Sequence, residues 1–262
     1  MGARPLVLDL RGRREARRAT RERWLRVRLA ERRYAKQLRG VAREVGRIVE
    51  KMAPRGVVEA PARLVEALRR YRDIVRPWAA AVAEKTLADV ALRDERAWNS
   101  LASEMGQEIR SSIRRAPIRP TLASLREEQV ELITSLPEEA AARVHRLSIE
   151  ALSSGARAKE VSEEIMRTGL VAKARANLIA RTEIGRASSH VARVRAEAIG
   201  SVGYIWRTAL DADVRPIHRK LEGKVISWDD PPIAGENGER AHAGAIYNCR
   251  CYPEPILPEE IA

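Results

Sequence analysis

Phenylalanine is absent from this chain, and aromatic residues make up only 4% of it. Such a chain cannot build its whole core on stacked rings. Most of the core must be aliphatic, set in seams between helices, and the alphabet suits this because Ala, Leu and Arg stand at the top of helix propensity. Cysteine occurs twice and histidine four times. Two cysteines exclude a disulfide framework. No run approaches the ~20 apolar residues of a membrane span. The opening stretch MGARPLVLDLRGRR also lacks the apolar core, about 7–15 residues long, of a secretory leader. These absences set the expectation of a protein folded in a reducing cytoplasm, with no membrane partner.

What the chain has in excess is positive charge. The net charge is +13, and residues 1–50 carry 16 Arg and Lys against 6 Asp and Glu. A segment of this kind seeks polyanions, whether nucleic acid, an acidic membrane or an acidic protein, unless it is simply a solvated helix face. Arg11, Arg13, Arg14, Arg17, Arg18, Arg21, Arg28 and Arg32 are the candidate polyanion contacts.

Hydrophobic periodicity predicts an α+β protein. A helical N-terminal half, packed as a bundle or hairpin, precedes a compact domain of helices with a small C-terminal sheet. Residues 12–53 read as one long helix, in which Leu38, Val41, Val45, Ile48 and Met52 form a heptad seam open to self-association. Pro54 and Gly56 end it. A second helix starts near Pro61, is interrupted or kinked at Pro77, and a further pattern runs to about Ile113. The two prolines of RAPIRPT (115–121) mark the best domain boundary, giving a basic helical region 1–116 and a second domain 121–262. Shorter helices follow over 121–135, from Ser135 to Gly155, over 158–169 with Gly169 closing it, and over 171–200, closed by Gly200. Then the period changes. SVGYIWRT (201–208) and KVISW (224–228) are strand-like, and AIYNCRCYPEPIL offers one more strand until its prolines stop it.

The chemistry-bearing residues crowd into the last 85 positions, among them Arg181, Glu183, His190, Asp211, Asp213, Arg215, His218, His242, Cys249 and Cys251. His218, His242, Cys249 and Cys251 make a possible Cys2His2 zinc set, although paired cysteines in zinc knuckles usually stand further apart. A disulfide across one residue would be strained. A nucleophilic cysteine, or a nuclease on Asp211 and His218, can be drawn, but no nucleophile elbow, phosphate-cradling loop or HExxH helix is present. The remaining reading is structural, with the thiols as small buried hydrophobes in a terminal turn.

The order of these pieces resembles a known family. ARTE (180–183) lies on a helix, a strand follows to Trp206 and Thr208, and then come Asp211, Arg215 and His218, with Leu221-x-Gly223 after them. The series closes on His242-x-Gly244 and Cys249-Arg250-Cys251. Together these look like the Mu protein F-like domain of tailed-phage minor head proteins, with the signature over 178–255. Two positions depart from the family pattern. Ala243 stands where a proline is frequent, and the Asp211–His218 run has shifted spacing.

The resemblance implies a structural, non-enzymatic virion protein with no cofactor. It implies placement inside the head near the portal vertex after assembly in the host cytoplasm. It further implies a part in head assembly and in handling DNA at packaging or ejection. The portal protein, a major capsid or scaffold protein and packaged double-stranded DNA, bound without sequence preference, would be the partners. Arg181, Glu183, Trp206, Asp211, Arg215, His218, Gly223, Cys249 and Cys251 would be its structural signature. The alternatives are a zinc-stabilised nucleic-acid-binding module and a nucleic-acid- or nucleotide-processing enzyme, each centred on His218, His242, Cys249 and Cys251.

Overall fold

A computed structural model describes residues 10–53, 60–101, 107–154 and 158–257, with side chains described from Val27 onward. The protein is α+β. In order come α1 (Leu10–Lys51), α2 (Pro61–Leu101), α3 (Gln107–Arg115), α4 (Ile118–Ser154), α5 (Ala158–Met166), α6 (Thr168–Ala198), β1 (Gly203–Arg207), α7 (Pro216–Arg219), β2 (Val225–Ser227) and β3 (Tyr252–Pro255). Pro54 and Gly56 lie outside the described residues. None of the described helices is long and apolar enough to cross a membrane.

Prolines punctuate this chain less than the sequence suggests. Pro77 lies within an unbroken α2, and Pro137 within an unbroken α4. Ser135 therefore caps nothing. Its hydroxyl donates instead to the Leu132 carbonyl at 3.0 Å. Burial on either side of each proline outweighs the single backbone hydrogen bond that it removes. Gly169 likewise does not close α5, because it sits in the first turn of α6. Gly200 does close its helix. It takes φ +83°, its N–H donates to the Glu197 carbonyl, and the Ser201 N–H donates to the Ala196 carbonyl. This is the double hydrogen bond of a Schellman cap.

The chain forms two compact units that do not follow the division at 116–121. One comprises residues 1–31, 86–125 and 181–262, the other residues 32–85 and 126–180. Pro117 and Pro120 end α3 and start α4 within a single unit. The long helices α1, α2, α4 and α6 each contribute residues to both units, so no single cut in the sequence separates them.

The second of these units holds an aliphatic core. Leu38, Val41, Val45 and Val49 of α1 are buried, as are Leu64, Leu68 and Val75 of α2. The α1 stripe passes from Val45 to Val49 and Ala53, while Ile48 and Met52 are only half-buried. That drift is the 3.6-residue period of a straight helix, not the 3.5 of a coiled coil. The seam predicted for self-association is thus spent inside the protein's own core. Near one end of that stripe Gly46 lies against Gly169, where a Cβ on Gly169 would come within 2.9 Å of the Gly46 Cα.

The first unit gathers the scarce aromatics. Trp98, Tyr204, Trp206 and Trp228 share one core cluster with Ile113, Ala196, Ala243, Cys249, Cys251 and Leu257. A three-stranded antiparallel sheet of order β2-β1-β3 supplies much of it. The period of two on β1 turns Tyr204 and Trp206 inward. Pro253 and Pro255 do not stop β3. They pair opposite Trp206 and Tyr204 on an edge strand, where a missing N–H is tolerated. Arg195 is 2% exposed and pairs with Asp94, 4% exposed, at 2.7 Å, also donating to the Ala91 carbonyl at 3.0 Å.

Breaking such a pair strands a buried charge. Arg195→Met is expected to cost about 3–5 kcal/mol of unfolding free energy in urea titration, and the double change Asp94→Leu with Arg195→Met to recover most of it. A single-variant loss below about 1 kcal/mol would mean that water reaches Asp94.

Candidate functional site

The signature residues converge on one short turn, 247–251. Helix α6 supplies its floor. The Arg181 guanidinium donates to Asn248 Oδ1 at 3.1 Å, and the Asn248 N–H donates to Thr182 Oγ1 at 3.0 Å. Asn248 takes φ +55°, a left-handed conformation that asparagine tolerates better than most residues. The β1–α7 connection supplies the flank. Arg215 donates to the Tyr247 carbonyl at 3.0 Å, and Arg250 pairs with Asp211 at 2.6 Å and Asp213 at 3.2 Å. Asp211 is itself fixed in a tight turn by accepting from the Asp213 N–H at 3.2 Å. Glu183 is buried one turn from Arg186, and their side chains meet at 3.4 Å.

Glycines let these backbones touch. A Cβ on Gly185 of α6 would come within 2.9 Å of the Gly244 carbonyl. Gly244 has φ +84°, and a Cβ there would lie 3.0 Å from the Cys251 carbonyl oxygen and 3.3 Å from that of Gly185. The Gly244 of the sequence motif is therefore a contact residue. Gly185, which the sequence reading passed over, is its partner. At Gly223 the cause is different: φ is +76°, and its N–H donates to the Trp206 carbonyl at 2.9 Å to shape the turn into β2.

His218, Cys249 and Cys251 meet inside the turn. They are 3%, 4% and 5% exposed. Pro216 opens α7, a short helix that turns His218 inward beneath Trp206, ring centroids 5.4 Å apart and edge-to-face. His218 Nε2 donates to the Ala234 carbonyl at 2.9 Å. A carbonyl can only accept, so Nε2 carries a proton and Nδ1 is left facing the sulfurs. Nδ1 is 3.4 Å from Cys251 Sγ and 3.7 Å from Cys249 Sγ. The Cys251 N–H donates to Cys249 Sγ at 3.3 Å. The Cys251 thiol, with His218 and that N–H, holds Cys249 well below the ordinary thiol range despite its burial. The neighbouring Cys249 sulfur, and burial after it, push Cys251 far up. Burial opposes a charged His218 ring, but the hydrogen bond and charge of Cys249 outweigh it and raise the ring's pKa.

His242 is not brought to the thiols. Its Nε2 accepts from Arg193 at 3.2 Å, and its Nδ1 lies 3.2 Å from Tyr204 Oη. It packs edge-on against Tyr204 and Trp228. Ala243, at the position where the family pattern favours proline, donates its N–H to Tyr204 Oη at 3.2 Å, a bond that proline could not make. Burial, then the charge of Arg193, lower the His242 pKa from its ordinary value of 6.5. Of the arginines expected to meet a polyanion, Arg32 is exposed. Arg28 is half-buried and lines a cavity with Arg181, Ser189, Cys249 and Cys251. The side chains of Arg11, Arg13, Arg14, Arg17, Arg18 and Arg21 lie outside the described residues.

Residues 142–253 match the model of the phage Mu protein F like protein family. The resemblance read from the motifs holds over the segment that contains nearly all of them. An uncharacterized protein of Haemophilus influenzae is 26% identical over 159 residues, covering 60% of this chain. The chain's match spans about a third, 34%, of that relative's length. No solved structure matches.

Two outcomes follow from this geometry. Gly244→Ala combines a left-handed backbone with a carbonyl clash, so it should lower stability by about 1–3 kcal/mol. Gly40→Ala, whose Cβ would meet only the tip of Arg43 at 3.8 Å, should be neutral or slightly stabilising in the same chemical denaturation. His242 bears on pH. Its folded pKa lies below the unfolded value, so the unfolded chain binds the proton first, and stability should fall as pH drops below about 6.5. Thermal melts across that range should show a shallower decline in His242→Asn than in the unaltered chain. Equal declines would remove His242 as the cause.

Proposed function

We propose that the chain is a structural minor head protein of a tailed bacteriophage, acting in procapsid assembly at the portal vertex and in handling packaged DNA. One observation supports this beyond the family match. The signature residues Arg181, Asp211, Arg215, His218, Cys249 and Cys251 are directed at one another and at the backbone of a single turn. A hydrolase or transferase presents its nucleophile and base to a substrate, whereas His218 and both thiols here are buried to within a few per cent. In this reading the Mu F-like segment is a rigid docking module without catalysis. Its neighbours are the portal protein and a capsid or scaffold protein, within the virion and, before that, in the host cytoplasm.

The basic start of α1 meets DNA phosphates without reading sequence. Neutralising each phosphate releases condensed counterions, so affinity falls with salt by a slope of roughly 0.9 per contact. Replacing Arg11, Arg13, Arg14, Arg17, Arg18 and Arg21 by Gln in the full chain tests this while leaving the buried α1 residues described from Ala30 onward unaltered. The variant should bind duplex DNA more weakly, with a salt slope shallower by several units and no change in sequence preference. An unchanged slope would remove the electrostatic account. The assembly arm is separate: the chain should co-sediment with procapsids that contain portal and not with portal-less shells.

A further inference from the structure

We infer that His218, Cys249 and Cys251 form a three-ligand site for a thiophilic divalent ion, zinc above all, with a fourth, non-protein ligand. The donors are His218 Nδ1 and the two sulfurs, all buried and within 4.8 Å of one another. Among the described residues no other His, Cys, Asp or Glu joins them.

Three features of the geometry go beyond proximity. The first is spacing. A tetrahedral zinc with Zn–S near 2.3 Å and Zn–N near 2.05 Å places nitrogen and sulfur about 3.6 Å apart. The two Nδ1–Sγ distances here are 3.4 and 3.7 Å. The second is orientation. A ligating histidine nearly always donates its other ring N–H to a carbonyl or carboxylate, which fixes tautomer and ring plane. The Nε2–H bond to the Ala234 carbonyl is that bond, made before any ion arrives. The third is valence. Nδ1 has one lone pair, yet two sulfurs stand almost equally near it, and it can accept from only one thiol at a time. An ion between the three engages all of them at once.

The surroundings fit a metal thiolate as well. The Cys251 N–H aims at Cys249 Sγ at 3.3 Å, and backbone N–H groups stabilise sulfur that carries negative charge. The single-residue spacing, unusual for a zinc knuckle, is compatible because the left-handed Asn248 and the glycine contact at Gly244 turn both sulfurs to one side. Cys249 and Cys251 also line a cavity with Gly185, Ser188 and Ser189, from which a water can complete four-coordination. The ion would join α7 to a turn about thirty residues further along, closing the loop that contains β2 with a cross-link instead of a disulfide. The site stands on its own geometry, whatever the chain's partners.

The test is cobalt substitution in the full chain with thiols kept reduced. One equivalent of Co2+ should give visible d–d bands of tetrahedral intensity together with thiolate-to-cobalt charge transfer, and one equivalent of Zn2+ should erase both. Cys249→Ser and Cys251→Ser should each weaken binding by at least about 100-fold and reduce the charge-transfer band. His242→Asn should leave affinity and spectrum unchanged, which separates this set from a Cys2His2 site. If a serine variant fails to fold, the unaltered chain still decides. Less than a tenth of an equivalent bound at equilibrium dialysis, or octahedral spectra without charge transfer, would overturn the site.

Discussion

The C-terminal part of this protein depends on one constraint: a histidine ring and two thiols are buried at a single point, and each must find its partners there. A histidine and two cysteines withdrawn from water must find hydrogen bonds or a ligand, because an unmatched buried polar group costs about 1–3 kcal/mol. The Ala234 carbonyl settles one face of the His218 ring. The other face is settled by the sulfurs, and this holds only while the 247–251 turn keeps its conformation. Three further signature residues, Arg181, Arg215 and Asp211, act on that requirement. Arg181 and Thr182 hold Asn248, Arg215 holds Tyr247, and Asp211 holds Arg250. None of these bonds is strong alone, since a typical one contributes about 0.5–1.5 kcal/mol net. Their effect is that they converge on a stretch of five residues.

That convergence also explains why glycine matters where it does. A turn held by side chains on α6 must come close enough for short reaches such as Thr182 Oγ1 to Asn248 N–H. Gly185 and Gly244 permit this by removing both Cβ atoms from the line of contact. The aromatic cluster lies against the same assembly. Tyr204 stacks on Trp228 at 4.5 Å, and Trp206 meets His218 edge-on. In a chain with ten Trp and Tyr residues and no Phe, four of the ten are placed in this one cluster. The scarce large rings lie where short strands and long loops give little aliphatic packing of their own. The helices of the other unit rely mainly on Leu, Val, Ile and Ala, with Tyr34 a buried ring among them.

Much of this was legible in the sequence, for identifiable reasons. The α+β class follows from the change in period near residue 201, and the capping of α6 by Gly200 follows from its composition. The unbroken α2 and α4 were not legible, because a proline in a helix is judged locally while burial on either side decides the outcome. The heptad seam on α1 was visible as a pattern, but a pattern does not say what covers it. The intramolecular core does. At the site, His218, Cys249 and Cys251 were legible as a group. His242 was grouped with them because composition cannot show that its ring belongs to Arg193 and Tyr204. Gly185 was missed since a helical glycine looks like a weak helix former until its neighbour is seen.

The two ends of the chain differ in charge. Several arginines of the C-terminal segment are paired. Arg207, Arg215 and Arg250 have carboxylate or backbone partners within it, and Arg181 pairs with Glu31 of α1. Most of the net charge of +13 sits in residues 1–50, which carry 16 Arg and Lys against 6 Asp and Glu. Shape and charge are thus assigned to different segments. Of the bonds that hold the turn, those of Asn248 to Thr182 and Arg250 to Asp211 are partly buried and so are screened less than exposed charges. An arginine-rich helix face responds steeply to ionic strength. On the function proposed above, such a chain would keep a fixed docking surface while its grip on nucleic acid varied with the counterion concentration around it.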